Sequence, residues 1–266
     1  MTPAIPLSAR DLVVAAVLVV LDGALSVALG LGLHRQLAVA TLRMVLQLLA
    51  VGLVLRAVFA LASPAVTLLV VLAMVAVAAR EVAARPQQRL ARFGNYLVGA
   101  TAVALATLLT SVLALTTALR PSPWYEARYA IPLAGIVLGN VLNAASLALD
   151  ALLGAVVGAR AGIEAQLALG ATIGAAMRRH VREAVRRGML PVVNQMSAAG
   201  VVTLPGIMTG QILAGLDPME AVKYQILLMF LLAGGSGLGA VAAVLLAARR
   251  LTDARHRLRL DRLSPQ

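Results

Sequence analysis

Cysteine is absent from the 266 residues, and aromatic residues make up only 3% of them. Without thiols there is no disulfide framework, no zinc-finger or iron–sulfur ligand set and no thiol redox chemistry. The shortage of aromatics removes the stacking platforms that interleave with basic side chains on RNA and DNA binders. The formal net charge of +12 therefore does not point to nucleic acid, because the arginines cluster between long apolar runs. Charged residues are also scarce, at 13%, where soluble domains carry about a quarter. What fills the chain instead is apolar: 61% hydrophobic residues and a mean hydropathy of +0.92. So little polar surface cannot cover a water-soluble globule, and lipid must cover much of the molecule.

A membrane span needs about 20 predominantly apolar residues. Seven stretches qualify, near 11–33, 37–60, 63–80, 94–118, 131–157, 189–213 and 222–247. None shows the alternation of an outer-membrane barrel strand, so the expected fold is all-α, a single polytopic membrane domain over 1–266. The first run is too long for the apolar core of a signal peptide and is expected to stay in the mature protein. Seven spans sort the connections onto two sides. One side holds Arg35, the 80–93 loop, the 158–188 segment and the tail 248–266, together 17 of the 23 basic residues. The positive-inside rule then places the N-terminus outside and the C-terminus in the cytoplasm of a cell inner (cytoplasmic) membrane.

The 158–188 connection is long and rich in Ala, Leu, Arg and Glu, and reads as helical. Gly170 and Gly174 are candidate breaks within it, and Glu183 is spaced to pair with Arg179 and Arg187. It serves either as a solvated basic loop or as a docking surface for a soluble partner. The string Glu164-Ala165-Gln166, then Gly170, then Leu190-Pro191 is similar to the "EAA…G…LP" loop of ABC-transporter permeases. More narrowly, "RMVLQLLAVGLVLR" at 43–56, "GIVLGNVLNAASLAL" at 135–149, "EAQLALGAT" at 164–172 and the long block 189–230 resemble the iron-export ABC permease family (FetB-like), which has plant relatives linked to aluminium tolerance. The resemblance implies a permease subunit that exports iron or another metal ion. It also implies a homodimer and a separate ATPase subunit docked on Glu164, Ala165, Gln166, Gly170, Arg178, Arg179 and Arg182. A sugar nucleotide is the alternative cargo, suggested by the plant relatives.

The residues agree that ATP is bound elsewhere. No G-x-x-x-x-G-K-[ST] run is present to cradle phosphates, so ATP and Mg belong to the partner and no cofactor is expected on this chain, which is not itself an enzyme. An ion-gradient carrier would bury several carboxylates or histidines along its path. Here only Asp22 and Asp150 lie within the spans. A non-transporting membrane scaffold stays open as a further alternative.

Polar residues inside spans are costly, about 2.5–3.5 kcal/mol for Asp or Arg at a helix centre, unless paired or watered. Arg43 and Asp150 lie at similar depth and are expected to pair, tying the second span to the fifth. Asn140, Asn143, Ser146 and Asp150 fall on one face of the fifth span, as interhelical glue or as the lining of a path. The sixth span contains Pro205-Gly206 and reads as an interrupted helix, with Asn194, Met196, Met208, Thr209 and Gln211 around the break. It is either a packed kink or a gate. Asp22 is either a paired structural residue or a cation contact. His34, His180 and His256 lack ligand spacing. Gly234, Gly235, Gly237 and Gly239 mark close helix packing within one subunit or between two. The basic tail reads as a short surface helix drawn to anionic headgroups.

Overall fold

The computed structural model describes residues 8–61, 63–91, 94–253, 255 and 257–263. Its helices are α1 (Ala9–Ala28), α2 (His34–Leu61), α3 (Pro64–Ala84), α4 (Gly94–Leu113, extended by a π-helical stretch Ala114–Leu119), α5 (Ala127–Gly158), α6 (Arg160–Ala168), α7 (Ile173–Ala198), α8 (Gly206–Leu213) and α9 (Pro218–Arg250). No strand occurs among the described residues, so the all-helical expectation holds. Sequence sets several of the helix starts. Ser8 and Asp11 form a reciprocal capping box on α1, Pro64 and Pro218 occupy first-turn positions, and Asp217 accepts from the backbone N–H groups of Met219 and Glu220. Each satisfies or removes amide donors that the first turn leaves without helical partners.

Six of these helices, α1–α5 and α9, are long and apolar enough to cross a membrane, one fewer than expected. The segment expected to form the sixth span, 189–213, is not one helix. Its first part completes α7, the chain then turns over Ala199–Pro205, and α8 adds eight residues. The turn is closed by Thr203 N–H donating to the Ala198 carbonyl and Gly200 N–H donating to that of Thr203. Pro205, with no N–H to give, precedes the first residue of α8, so the expected interruption is present. The boundary expected at 188/189 is absent. α7 runs unbroken from its arginine-rich half through Pro191. Gly174 lies inside it, and Gly170, at φ +89°, makes the only glycine break of the 158–188 segment.

The core is the meeting of α5, α7 and α9. A Cβ on Gly239 would lie 2.6 Å from Val141, and one on Gly235 would lie 3.3 Å from Val137 and Val141. One on Gly188 would lie 2.6 Å from the Ala144 carbonyl oxygen, 2.8 Å from Ala148 and 3.2 Å from Ala240. Position along α9 thus rises with position along α5, and the two run parallel. α7 runs against them, since Arg179, His180 and Glu183 lie beside Ala151 and Ala155, beyond the level of Gly188. α6, α7 and α8 form the return path that two parallel helices require. α3 and α4 pack beside α5, with Gly99 against Val82 and Ala79. The glycine stripe of α9 is therefore spent within the subunit, at Gly235 and Gly239.

Two regions depart from this packing. α1 and α2 form a hairpin at the edge, with large apolar side chains exposed around both. Its turn is nevertheless built: Gly30 and Gly32 take positive φ and Leu33 N–H donates to Ser26 Oγ. The tail is not the expected surface helix. It folds back so that Leu90 bridges to Leu263 and Arg262 Nη1 donates to the Arg250 carbonyl. Leu258, Leu260 and Leu263 pack on the core, and Asp253 accepts from the Arg255 and Arg257 amides, so the leucines decide the path over the arginines. Hydrogen bonds from Arg259 hold the Asp261 carboxyl down to about 2. A carboxylate lowered in the folded state stabilises it above the ordinary carboxylate range and ceases to as pH falls through the folded value, so this contact stays intact at physiological pH.

Gly188→Ala should lower the thermal unfolding midpoint of the detergent-solubilised protein, reflecting about 1–3 kcal/mol of overpacking against backbone. Gly234→Ala, with nothing within 4 Å of the added Cβ, should leave it unchanged or slightly higher. A Gly188→Ala protein as stable as the parent would contradict the close approach.

Candidate transport path and coupling elbow

The polar face of α5 is divided among different partners. Asn140 donates to the Ile136 carbonyl of its own helix at 3.0 Å. Asn143 Oδ1 accepts from the Arg85 guanidinium at 2.6 Å, and Asp150 Oδ1 accepts from the Gln87 backbone N–H at 2.8 Å. Ser146 is buried, and its Oγ has no partner among the described residues. Two members of the face therefore tie the α3–α4 connection to the second half of α5. The expected Arg43–Asp150 pair is not formed. Arg43 Nη2 donates to Glu81 Oε1 at 3.0 Å and binds α2 to α3. The reason is tertiary: the α3–α4 connection folds onto α5 and brings the Gln87 N–H to Asp150, while α2 lies on the α3 side. Glu81 escaped sequence reasoning because no spacing rule links it to a residue 38 positions away.

Two open grooves adjoin along α2 and share Val77 and Glu81. One, of about 810 Å3, is lined by Arg35, Val39, Arg43, Gln47 and Leu48 among others. The second, of about 820 Å3, lies between α2, α3 and α5, with apolar walls that include Val54, Met74, Ile131 and Leu142.

The residues expected around the interrupted helix fall on both sides of its turn. Asn194 and Met196 are exposed near the end of α7. Pro205 and Gly206 open α8, and Met208, Thr209 and Gln211 are half-buried on it. Thr209 Oγ1 donates to the Pro205 carbonyl, whereas Gln211 Oε1 is buried without a partner. Sequence reasoning passed over a second polar set. Thr107, Thr110 and Ser111 on α4 and Gln225 and Ser236 on α9 are buried. The Thr107 and Ser111 hydroxyls and Gln225 Oε1 have no partner among the described residues. Single hydroxyls in an apolar run read as ordinary helix packing; Gln225, an amide inside a span, was the available signal.

The elbow is built from α6, the turn at Gly170 and the first half of α7. Ile163, 1% exposed, anchors α6, and Arg160 pairs with Glu164 at 2.8 Å. Ala165, Gln166 and Gly170 face outward, and Leu169 at the tip is 89% exposed. Thr172 Oγ1 accepts from the Ala175 N–H and caps α7. Ala176, Met177, Ala184 and Gly188 form the buried side of α7. Its other side carries Arg178, Arg179, Arg182, Arg186 and Arg187 around a groove of about 670 Å3, with Glu183 as the one acid. Glu183 bonds Arg187 and Arg186, in place of the expected bridge from Arg179. Among the described residues no three His, Cys, Asp or Glu side chains gather to hold a metal ion. His34 Nδ1 is buried without a partner, and His256 lies outside the described residues.

Residues 9–252 match the sequence model of a family described as "Uncharacterised protein family (UPF0014)". The chain is 38% identical over 203 residues to the "UPF0014 membrane protein slr1647" of Synechocystis, covering 76% of this chain and 78% of that protein. It is 32% identical over 233 residues to the "Probable iron export permease protein FetB" of Escherichia coli, covering 88% of each. It is 30% identical over 232 residues to the "Protein ALUMINUM SENSITIVE 3" of Arabidopsis thaliana, covering 87% of this chain and 83% of that protein. No solved structure matches.

Asp150→Leu should strand the Gln87 N–H and cost about 1–3 kcal/mol, read as a lower melting midpoint and faster proteolysis after Arg85 or Arg89. Asp150→Asn keeps an acceptor oxygen and should lose much less. Equal behaviour of the two variants would rule out the backbone contact.

Proposed function

This chain belongs to the UPF0014 family of membrane proteins, and on that premise we propose that it is the permease subunit of an ATP-driven exporter of iron or another metal ion. It is a multi-pass membrane protein. The observation that carries the proposal is the elbow: an outward-facing short helix, with Leu169 bare at its tip, continues through one capped turn into α7. Because α7 is unbroken down to the level where Gly188 touches α5 and α9, a push on the elbow reaches the membrane-embedded core without a hinge. A lone ATPase subunit, carrying ATP and Mg, is the partner that this lever fits, and two permease copies match two ATPase copies. The name of the Escherichia coli relative, a probable iron export permease, suggests the cargo and its direction.

The parallel course of α5 and α9 supports a seventh crossing, made by the second half of α7 together with α8. Seven crossings place the N-terminus outside and the arginine-rich elbow and tail in the cytoplasm of the inner membrane, in accord with the basic residues. The turn at Ala199–Pro205 then lies within the crossing. Irregular backbone is tolerated there where protein or a water-filled cavity surrounds it, as in the broken helices of transporters. Pro205, Gly206, Met208, Thr209 and Gln211, with Asn194 and Met196, flank that path. Of the polar residues on α5, Asn140 lies nearest the side that α7 covers, while the bond from Arg85 to Asn143 fastens the neighbouring side at the cytoplasmic end.

A second reading of the cargo, a small anionic solute such as a sugar nucleotide, is favoured by one feature. Five arginines on α7 face a single acid, a field that attracts anions to the cytoplasmic mouth and repels bare cations.

Leu169→Asp should reduce co-purification of the ATPase about tenfold or more while leaving the melting midpoint of the permease unchanged, since Leu169 touches little in the isolated chain. Undiminished binding by that variant would refute the elbow as the docking site. With the intact complex in vesicles, iron salts and a sugar nucleotide are then compared as stimulants of ATP hydrolysis; the cargo raises the rate and the other does not.

A further inference from the structure

Asp22 is the membrane-span carboxylate that the single chain leaves unserved. Asp150 accepts a backbone N–H and Glu81 meets Arg43. Asp22 is exposed on α1 and makes no hydrogen bond or ion pair among the described residues. It sits about 9 Å from the end of α1 nearest the hairpin turn, at 1.5 Å per residue. Leu18 and Leu25, one turn away on the same side, are 68% and 55% exposed. Ionisable groups at such depth face other helices or water, not acyl chains. Lipid is therefore the wrong cover for this side of α1.

The grooves beside α2 supply a matching seat. Together they run along α2 from Arg35 to Leu55, about 30 Å, which is the length of the 20-residue α1. Their walls are apolar over most of that length and basic at the end near the hairpin turn. There Arg43 spends one N–H on Glu81 and keeps its other donors, beside an exposed Gln47. Arg43 lies about 14 Å from the start of α2, close to the depth of Asp22 on the same side of the membrane. Arg43 faces α3, away from the α1 of its own chain, so a single copy cannot close this contact. A two-fold axis along the membrane normal preserves depth and makes the exchange twice over.

We propose that α1 of one copy lies in the groove between α2 and α3 of a second copy, with its Asp22 meeting Arg43 and Gln47 there. The contact deepens the functional reading above, from which it takes the pairing of two permeases. It assigns the pairing surface to the hairpin and not to the glycine stripe of α9.

The absence of native cysteine makes the test clean. Two differently tagged copies, one Leu18→Cys and one Leu48→Cys, are co-expressed in membranes and treated with a short thiol cross-linker. The expected product is the mixed dimer, and Asp22→Leu in the first copy should reduce its yield about tenfold. If Asp22 faced lipid, replacing it by Leu would leave the yield unchanged, and that result overturns the proposal. So does the absence of any mixed dimer. The mass of the ATPase-bound complex separates this from the larger reading. Two copies without the cross-link move the pairing elsewhere and leave the exporter assignment standing, whereas one copy removes both.

Discussion

Close approach of helix backbones at α5, α7 and α9 is the constraint on which the remaining structure depends. In lipid, apolar side chains gain little by leaving one hydrocarbon for another, so helices associate through van der Waals contact and polar bonds. Gly188 and Gly239 let three helices come near enough for that contact to be dense, one against the Ala144 carbonyl and the other against Val141. The core residues around them are correspondingly inaccessible, with Val137, Val141, Ala148, Leu152 and Ala240 at 0% exposure. Because α5 and α9 pack in parallel, the chain between them has to come back, and α7 is the element that does it.

That return gives α7 a double character. Its first half has an arginine side and an alanine side; its second half belongs to the bundle. A conventional reading would separate a soluble loop from a span, yet one helix holds both. Intrahelical pairs at Glu183 and the Thr172 cap stiffen the polar half, while Gly188 seats the other. The helix has no joint between Ile173 and the seat at Gly188, and the turn at Ala199–Pro205 lies beyond that seat.

Around this core, polar contacts serve as fastenings more than as lining. Arg85 to Asn143, Gln87 to Asp150 and Arg43 to Glu81 gather on the side where the basic residues lie, and the tail adds Arg262 to Arg250. Within the bundle, Thr107, Ser111, Ser146, Gln211 and Gln225 carry buried atoms with no partner among the described residues. In a medium that cannot hydrogen-bond, such buried atoms are costly to leave alone, and only Ser146 and Gln211 among them stood out by sequence pattern.

Composition and hydrophobic run length were enough to determine a helical membrane protein, the approximate place of six spans and the break before Gly206. Those are local properties, set by how much apolar surface a segment carries and whether its backbone can continue a helix. The partner of Arg43, the seat of Asp150, the fold-back of the tail and the continuity of α7 were decided by tertiary packing. Residues 38 or 63 positions apart meet only because α2 lies against α3 and the Gln87 connection folds over α5, and no periodicity along one helix encodes which neighbour it will have. Arginine-rich sequence proposed a surface helix at 248–266; interleaved leucines, finding a place on the bundle, chose otherwise.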